Sequence, residues 1–122
     1  MTQPATPSLR IRIVFGEDAM LGPGKADLLE RIRDTGSIAA AGRSMSMSYK
    51  RAWMLVESMN AAFREPLVES SRGGAKGGGA YLTDTGAEVL ANYRKLEDIM
   101  AEAGAARINA IQSMLRDIPD GK

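Results

Sequence analysis

Residues 48–63 read SYKRAWMLVESMNAAF and combine regularly spaced apolar residues with two adjacent cations. At about 100° per residue, four apolar positions fall within roughly 60° of one another on a helical wheel: Ala52, Val56, Met59 and Phe63. Ser48 stands where a helix N-cap belongs. The pattern predicts an amphipathic helix over residues 49–63 with one buried side.

The opposite side of this predicted helix is short, cationic and hydroxyl-bearing, and it carries Lys50, Arg51, Met54 and Ser58. Such a face suits a helix that lies in a groove of DNA, although most charged helix faces are simply solvated. The aromatic residues of the same stretch, Trp53 and Phe63, are predicted to belong to the core. Six aromatic residues in the whole chain are too few for a surface that stacks single-stranded bases.

The residues before this helix predict further helices and a strand. Ser37 can cap a short alanine-rich helix over 38–43, whose small side chains allow a second helix to cross closely. A helix is predicted over 25–35 with Gly36 as its stop. Alternating apolar residues predict a strand over 8–15, and residues 16–24 are predicted to form a turn region.

The residues after the helix predict a β-hairpin with strands over 66–72 and 80–83. Its tip holds five glycines between residues 73 and 79. Such a tip lets backbone N–H groups approach phosphate closely, and Arg72 and Lys76 add positive charge. No Gly-Lys-Ser/Thr sequence opens a following helix, which argues against a nucleotide-binding loop. A merely disordered tip remains an open alternative.

The chain is predicted to be helical from residue 84 to about 117, a length of about 50 Å at 1.5 Å per residue. Apolar residues recur there as in a coiled-coil seam and shift register after Gly104. The predicted dimerisation positions are Val89, Tyr93, Leu96, Met100, Ile108, Ile111 and Leu115. The pattern favours a homodimer, and it leaves open whether this segment is one helix or two.

Composition narrows the function. The 122 residues include no cysteine and no histidine, which removes the commonest metal ligands and general base, so neither a metal site nor an enzyme is expected. The eight methionines are assigned to packing, with Met45, Met59 and Met100 at core positions. No signal or membrane-spanning pattern is present, which predicts a cytoplasmic protein. The net charge is +1, yet residues 37–83 carry six basic and three acidic side chains.

A resemblance to a known family extends this interpretation. The run from Ala40-Ala41 through Pro66-Leu67-Val68-Glu69, followed by Leu82-Thr83, resembles the DNA-binding domain of LysR-type regulators. Over residues 9–100, and above all in the hexapeptide 48–53, the chain is more similar to the N-terminal domain of ModE-type molybdate-responsive regulators. The resemblance implies an α+β, mostly helical, winged helix-turn-helix that regulates transcription. It also implies a recognition helix over 48–62 and a wing over 72–80.

The sequence departs from these patterns in two places. Met45 and Ser46 stand where LysR-type turns usually have leucine and then glycine, so Ser46 is expected to adopt the backbone that the glycine would allow. Only 26 residues follow Leu96, so the C-terminal oxyanion-binding domains of ModE proteins, and molybdate sensing with them, are not expected to carry over.

Together these observations predict a flexible N-terminus over 1–7, a DNA-binding domain over 8–83, a dimerisation segment over 84–118 and a tail over 119–122. A twofold dimer on double-stranded DNA would place its recognition helices one turn apart. The predicted DNA-binding residues are Ser37, Ser46, Ser48, Tyr49, Lys50, Arg51, Met54, Ser58, Arg72 and Lys76.

Two alternatives from other classes stay open. The first is a winged-helix protein-interaction module that does not bind DNA, which the modest positive charge allows. The second is a regulator that senses an oxyanion such as molybdate at the dimer interface, with charge from Arg94, Lys95 and Arg107. Neither a cofactor nor a specific effector is predicted.

Overall fold

A computed structural model describes residues 6–71 and 79–116. These residues form five helices and two small antiparallel sheets, which confirms the predicted α+β, mostly helical class. In chain order the elements are β1 (Ile13–Val14), β2 (Met20–Leu21), α1 (Pro23–Thr35), α2 (Ile38–Ser44), α3 (Tyr49–Ala62), β3 (Val68–Ser71), β4 (Gly79–Leu82), α4 (Asp84–Ala103) and α5 (Ala105–Ser113). The predicted flexible N-terminus lies largely outside the described residues, and the predicted tail lies wholly outside them.

The helix boundaries follow from local capping. The Ser37 hydroxyl accepts a hydrogen bond from the N–H of Ala40 at 3.0 Å, and the Ser48 hydroxyl accepts one from the N–H of Arg51 at 3.1 Å. Both serines therefore satisfy a backbone donor that the first turn of a helix leaves unpaired. Gly36 ends α1 with φ of 71°, as predicted for a glycine stop.

The turn between α2 and α3 contains a non-glycine residue with a left-handed backbone. Ser46 has φ of 59°, the only positive value at a non-glycine residue in the described part of the chain. This confirms that Ser46 takes the conformation that a glycine would adopt more easily. Its N–H is held by the carbonyl of Arg43 at 3.0 Å, and the neighbouring Met47 N–H by the carbonyl of Gly42 at 2.9 Å.

The core forms where α1, α2 and α3 meet the β3–β4 hairpin. Residues Leu28, Leu29 and Ile32 of α1 have no exposed surface. From α3, Ala52, Val56 and Met59 point into this core as predicted, and Phe63 packs against it half-buried. The predicted close helix crossing is confirmed at Gly42 of α2, where an added Cβ would lie 2.9 Å from the Cβ of Ala52.

The N-terminal segment differs from its prediction. The strand expected over 8–15 is only β1, and the expected turn region contains β2, which pairs with it in the register Ile13 to Leu21 and Val14 to Met20. Phe15, the last residue of the predicted strand, lies outside β1 and is 59% exposed. A pattern of alternating residues cannot show how far a strand finds a partner, and here only two residues of β2 are available.

The hairpin packs against the helices at both of its strands. Strand β3 pairs with β4 from Val68 opposite Leu82 to Ser71 opposite Gly79, so each strand is shorter than or shifted from its prediction. The backbone N–H of Ala80 donates to the carbonyl of Gly36 at 2.9 Å, which ties β4 to the end of α1. The predicted tip lies mostly outside the described residues.

The C-terminal segment is two helices rather than one. Helix α4 ends at Ala103, and α5 follows after Gly104, where the apolar register shifts in the sequence. Residues 6–71 and 79–116 contain no helix with both the length and the apolar composition that a membrane span requires.

Candidate nucleic-acid interface

The exposed face of α3 carries the side chains that the sequence predicts for DNA contact. Lys50, Arg51, Met54 and Ser58 are all exposed, with 60% of Met54 accessible to solvent. We call these four residues the α3 face. They lie across the helix from Ala52, Val56 and Met59, because residues spaced by three and four share a side of a helix. The packing of α3 thus leaves the whole α3 face accessible.

Positive charge on this face is not neutralised within the described residues. Among residues 6–71 and 79–116, no carboxylate lies within 4.0 Å of the amino group of Lys50 or the guanidinium of Arg51. The first acidic residue of α3 is Glu57, one turn beyond Trp53. The first two turns of α3 therefore combine two free cations with the positive end of the helix dipole.

The three predicted serines outside the α3 face have different surroundings. The hydroxyl oxygens of Ser37 and Ser48 accept backbone hydrogen bonds at the starts of α2 and α3, so their first task is capping. Each hydroxyl still has a proton that it can donate to an acceptor. Ser46 is exposed in the turn between the two helices. The three side chains thus lie near the N-terminal ends of α2 and α3.

A cleft separates the first two turns of α3 from the hairpin. It has a volume of about 360 Å³ and is lined by Ser37, Ile38, Ala39, Tyr49, Trp53, Ser70, Gly79 and Ala80. Tyr49 is 56% exposed and Trp53 is 39% exposed. The prediction that Trp53 is a core residue is therefore wrong. The wheel placed it at the edge of the buried stripe, and its indole turns toward the cleft that the hairpin creates.

Sequence reasoning did not assign a role to Asn60, which fixes the hairpin to α3. Its side-chain NH₂ donates to the carbonyl of Val68 at 3.0 Å, and its Oδ1 accepts from the N–H of Leu67 at 2.8 Å and of Val68 at 3.2 Å. These bonds occupy the outer edge of β3 at its first residue. In the sequence, the signal for this role was a polar residue beside the apolar stripe of α3, seven residues before the apolar pair 67–68.

The predicted wing residues Arg72 and Lys76 lie outside the described residues. The described base of the hairpin is held on both sides of the cleft, by Asn60 on α3 and by Gly36 after α1. The Ser71 hydroxyl also accepts from the N–H of Gly79 at 3.2 Å. The described ends of the two strands, Ser71 and Gly79, are therefore fixed across the cleft from Tyr49 and Trp53 of α3.

The predicted dimerisation residues separate into two groups. Tyr93 is only 2% exposed, and its hydroxyl donates to the carbonyl of Ile11 at 2.5 Å, so it belongs to the core of a single chain. Its assignment to a dimer seam is wrong because the first half of α4 packs on its own domain. Val89, Leu96 and Ile108 are half-buried. The exposed group includes Met100 (45%), Ile111 (63%) and Leu115 (60%).

Two residues extend this exposed apolar group, and one methionine was misplaced in the core. Ile99 is 50% exposed and Met114 is 80% exposed. Met100 was predicted as a core residue as well as a seam residue, and its exposure contradicts the core assignment. Met59 is buried and Met45 packs half-buried against the core, as predicted.

Arg94 is already engaged by three carboxylates. Its guanidinium donates to Asp27 at 2.8 Å, to Glu30 at 2.8 Å and to Glu97 at 3.0 Å. Burial disfavours the charged form, but the hydrogen bonds to these carboxylates outweigh it and raise the pKa of Arg94. One positive and three negative charges leave the cluster acidic, so Arg94 is poorly suited to an oxyanion site.

Comparison with known proteins finds relatives that are named for molybdenum-pterin binding, for molybdenum transport and for regulation of transcription. The chain is 41% identical to the molybdenum-pterin-binding protein MopB of Rhodobacter capsulatus over 90 residues, 74% of this chain and 32% of that protein. It is 47% identical to the molybdenum transport protein ModE of Azotobacter vinelandii over 70 residues, 57% and 26% of the two chains. It is 37% identical to the DNA-binding transcriptional dual regulator ModE of Escherichia coli K12 over 81 residues, 66% and 31% of the two chains.

These matches cover most of this chain but a minority of each relative. The chain spans about a third of the length of the curated relatives it matches. No family model matches it. The predicted resemblance to ModE-type proteins is therefore supported at about 40% identity over the shared region.

Proposed function

We propose that this chain is a sequence-specific, double-stranded DNA-binding domain of a transcriptional regulator, with a winged helix-turn-helix fold. The observation that carries the proposal is the α3 face, where Lys50 and Arg51 are exposed beside a hairpin and have no carboxylate partner in the described part of the chain. Helix α3 is the recognition helix in the major groove. Its first two turns bring Lys50 and Arg51 to base edges or phosphates, and the Ser48 cap sets the start of the helix at the groove.

The hairpin supplies the second contact. When a recognition helix lies in the major groove, the sugar–phosphate backbone that borders the groove runs alongside the helix. The cleft between α3 and the hairpin has the position that such a strand would take, with Tyr49 on one wall and Ser70 on the other. We assign the segment 72–78, with Arg72 and Lys76, to the phosphates beyond the cleft or to the adjacent minor groove.

The chain acts as a homodimer in this proposal. Helix α5 has no buried residue, and the exposed apolar side chains of α4 and α5 cluster in residues 99–115. A second copy of the same helices would cover this surface. Twofold symmetry would then direct both α3 helices to half-sites about 34–36 Å apart.

The names of the relatives agree with regulation of transcription, since one is described as a DNA-binding transcriptional dual regulator. Other relatives are named for molybdenum-pterin binding, which makes molybdate or a related oxyanion the leading effector for a protein that contains this chain. We do not place an oxyanion between the dimer helices, because Arg94 already faces three carboxylates.

The proposal is tested by removing the two free cations of α3. A duplex bound by the wild type is first isolated from a random pool, and its affinity is measured at several salt concentrations. Lys50→Ala combined with Arg51→Ala is expected to weaken binding at least about tenfold and to reduce the salt slope by about one for each of the two side chains that contacts a phosphate. The salt slope falls because a protein that makes fewer phosphate contacts releases fewer counterions from the DNA when it binds.

A matched control removes the same charge elsewhere. Arg12 is exposed just before β1, and Lys95 is exposed on α4. Neither has a carboxylate partner among the described residues. Arg12→Ala combined with Lys95→Ala should change affinity less than the α3 variant. Equal losses in both double variants would mean that net charge, rather than the α3 face, carries binding. A wild type that captures no duplex even at low salt would favour the protein-interaction module.

A further inference from the structure

An apolar side chain stands in the middle of the cationic α3 face. Met54 is 60% exposed, more than Tyr49 or Trp53, which line the neighbouring cleft. On a helix of about 100° per residue it lies roughly 140–160° from the buried Ala52, Val56 and Met59. Packing within the chain therefore does not account for an apolar residue at position 54.

The neighbours of Met54 are all groups that hydrogen-bond. Lys50 precedes it by four residues, Arg51 precedes it by three, and Ser58 follows it by four, so all three adjoin Met54 on one helix side. The first acidic residue of α3 is Glu57, which follows Met54 by three residues and places one carboxylate beside it. Met54 is thus an apolar contact with three donor side chains and one acceptor around it, within the two turns of α3 that reach furthest toward a groove.

Base edges in the major groove offer the complementary arrangement. They present hydrogen-bond acceptors at guanine and adenine, amino donors at adenine and cytosine, and one apolar group, the C5 methyl of thymine. A flexible, polarisable thioether side chain can pack on such a methyl while its cationic neighbours bind acceptors on either side. The chemistry of the α3 face therefore matches a thymine next to purines.

We infer that Met54 determines specificity by recognising one thymine of each half-site through its C5 methyl group. The inference rests on the proposed function and adds to it which base the apolar position selects. An exposed methionine alone is ordinary on a protein surface. The position of Met54 supports the inference, because this methionine lies between Lys50, Arg51 and Ser58 on the α3 face.

The experiment replaces thymine by deoxyuridine, which removes the methyl group and leaves every hydrogen-bonding atom in place. Each thymine of the duplex selected by the wild type is replaced in turn, and affinity is measured for the wild type and for Met54→Ala. In the wild type, one replacement per half-site is expected to weaken binding about fourfold, as for one lost methyl contact. In Met54→Ala the same replacement should have no effect.

Two further variants separate this role from a general loss of contact. Met54→Leu keeps an apolar side chain and should keep part of the sensitivity to deoxyuridine, and both substitutions preserve a good helix former. Val14→Ala alters another exposed apolar side chain, 65% exposed in β1 and outside both the α3 face and the apolar surface of α4 and α5, and should behave as the wild type. Circular dichroism checks that each variant is folded.

The outcomes distinguish the inference from the function on which it rests. A wild type that binds its duplex but is insensitive to deoxyuridine at every position would overturn the role of Met54 and leave DNA binding intact. That role is equally overturned if the selected site has no thymine, or if Met54→Ala retains the full sensitivity. A wild type that selects no duplex would instead remove the proposed function, and the inference with it.

Discussion

The region from α1 to β4 and the helix α5 use their apolar residues in different ways. In the first region most leucine and isoleucine side chains are enclosed, and Leu28, Leu29 and Leu67 have no exposed surface. In α5 no residue is buried, and Ile111 is 63% exposed. One region is therefore complete as a folded unit, and the other carries surface that is costly to leave in water.

This contrast predicts whether a substitution changes folding stability or association between chains. A change in the α1–β4 region alters contacts within one chain and is measured as a loss of folding stability. A change on the exposed apolar side of α5 alters little within one chain and is measured in association between chains. Helix α4 shows both behaviours, because Tyr93 lies in the core of the chain while Met100 is exposed.

The largest effect is expected at Gly86, the third residue of α4. A Cβ there would lie 2.1 Å from the carbonyl oxygen of Leu67, and a backbone atom cannot move aside cheaply. Gly86→Ala is expected to lower the free energy of unfolding by about 3 kcal/mol, the upper part of the overpacking range. Urea denaturation measures this loss from the shift of the midpoint.

The control for this prediction is the same substitution at the other end of the helix. Gly104 has ordinary negative φ, and the nearest atom to an added Cβ is 3.0 Å away. Gly104→Ala should change stability by no more than about 1 kcal/mol, because the helix propensity of alanine offsets the tight contact. Similar losses at the two sites would mean that the contrast between the regions is wrong.

An intermediate effect is expected at Asn60. Asn60→Ala removes three hydrogen bonds to Leu67 and Val68 and leaves their backbone groups without these partners, which should cost about 2 kcal/mol in denaturant unfolding. Asn92 is a suitable control, since it makes one exposed bond to the carbonyl of Glu88. Asn92→Ala should stay within about 0.5 kcal/mol of the wild type. Equal values would show that Asn60 does not anchor the hairpin.

The smallest effect on folding, combined with a large one on association, is expected in the C-terminal segment. Ile111→Glu combined with Leu115→Glu should leave the unfolding free energy of one chain within about 1 kcal/mol. The same double variant should dissociate the dimer in sedimentation equilibrium at concentrations where the wild type is associated. The reason is that each carboxylate would be desolvated by the second copy.

A matched variant adds the same charge to the other side of α5. Asn109 and Ser113 are exposed there, and Asn109→Glu combined with Ser113→Glu should leave association unchanged. If both double variants dissociate the protein equally, charge alone is responsible. If neither does, the exposed apolar side of α5 does not form the dimer.

Local patterns predicted the helices of the first region well. Serine caps at 37 and 48, the glycine stop at 36 and the buried stripe of α3 were readable because each depends on residues within about one helical turn. The strained backbone at Ser46 was also predictable, since a known turn pattern places glycine there.

Errors occurred where the answer depends on distant parts of the chain. Tyr93 fits a seam by spacing, yet its hydroxyl meets Ile11, a residue 82 positions away. Trp53 fits the edge of the buried stripe, yet the hairpin leaves a cleft over it. Arg94 was weighed as an anion ligand, but Asp27 and Glu30 on α1 reach it first. Spacing along one helix cannot report such partners.

Thr83 connects the hairpin to α4 through a single side chain. Its hydroxyl accepts from the N–H of Gly86 to start α4, and it donates to the carbonyl of Pro66 at 2.7 Å just before β3. Helix α4 thus begins at the foot of the hairpin, packs on the domain through Leu90 and Tyr93, and is about 30 Å long over its 20 residues. The hairpin and the exposed apolar residues at the far end of α4 are therefore held at a set distance by one continuous helix.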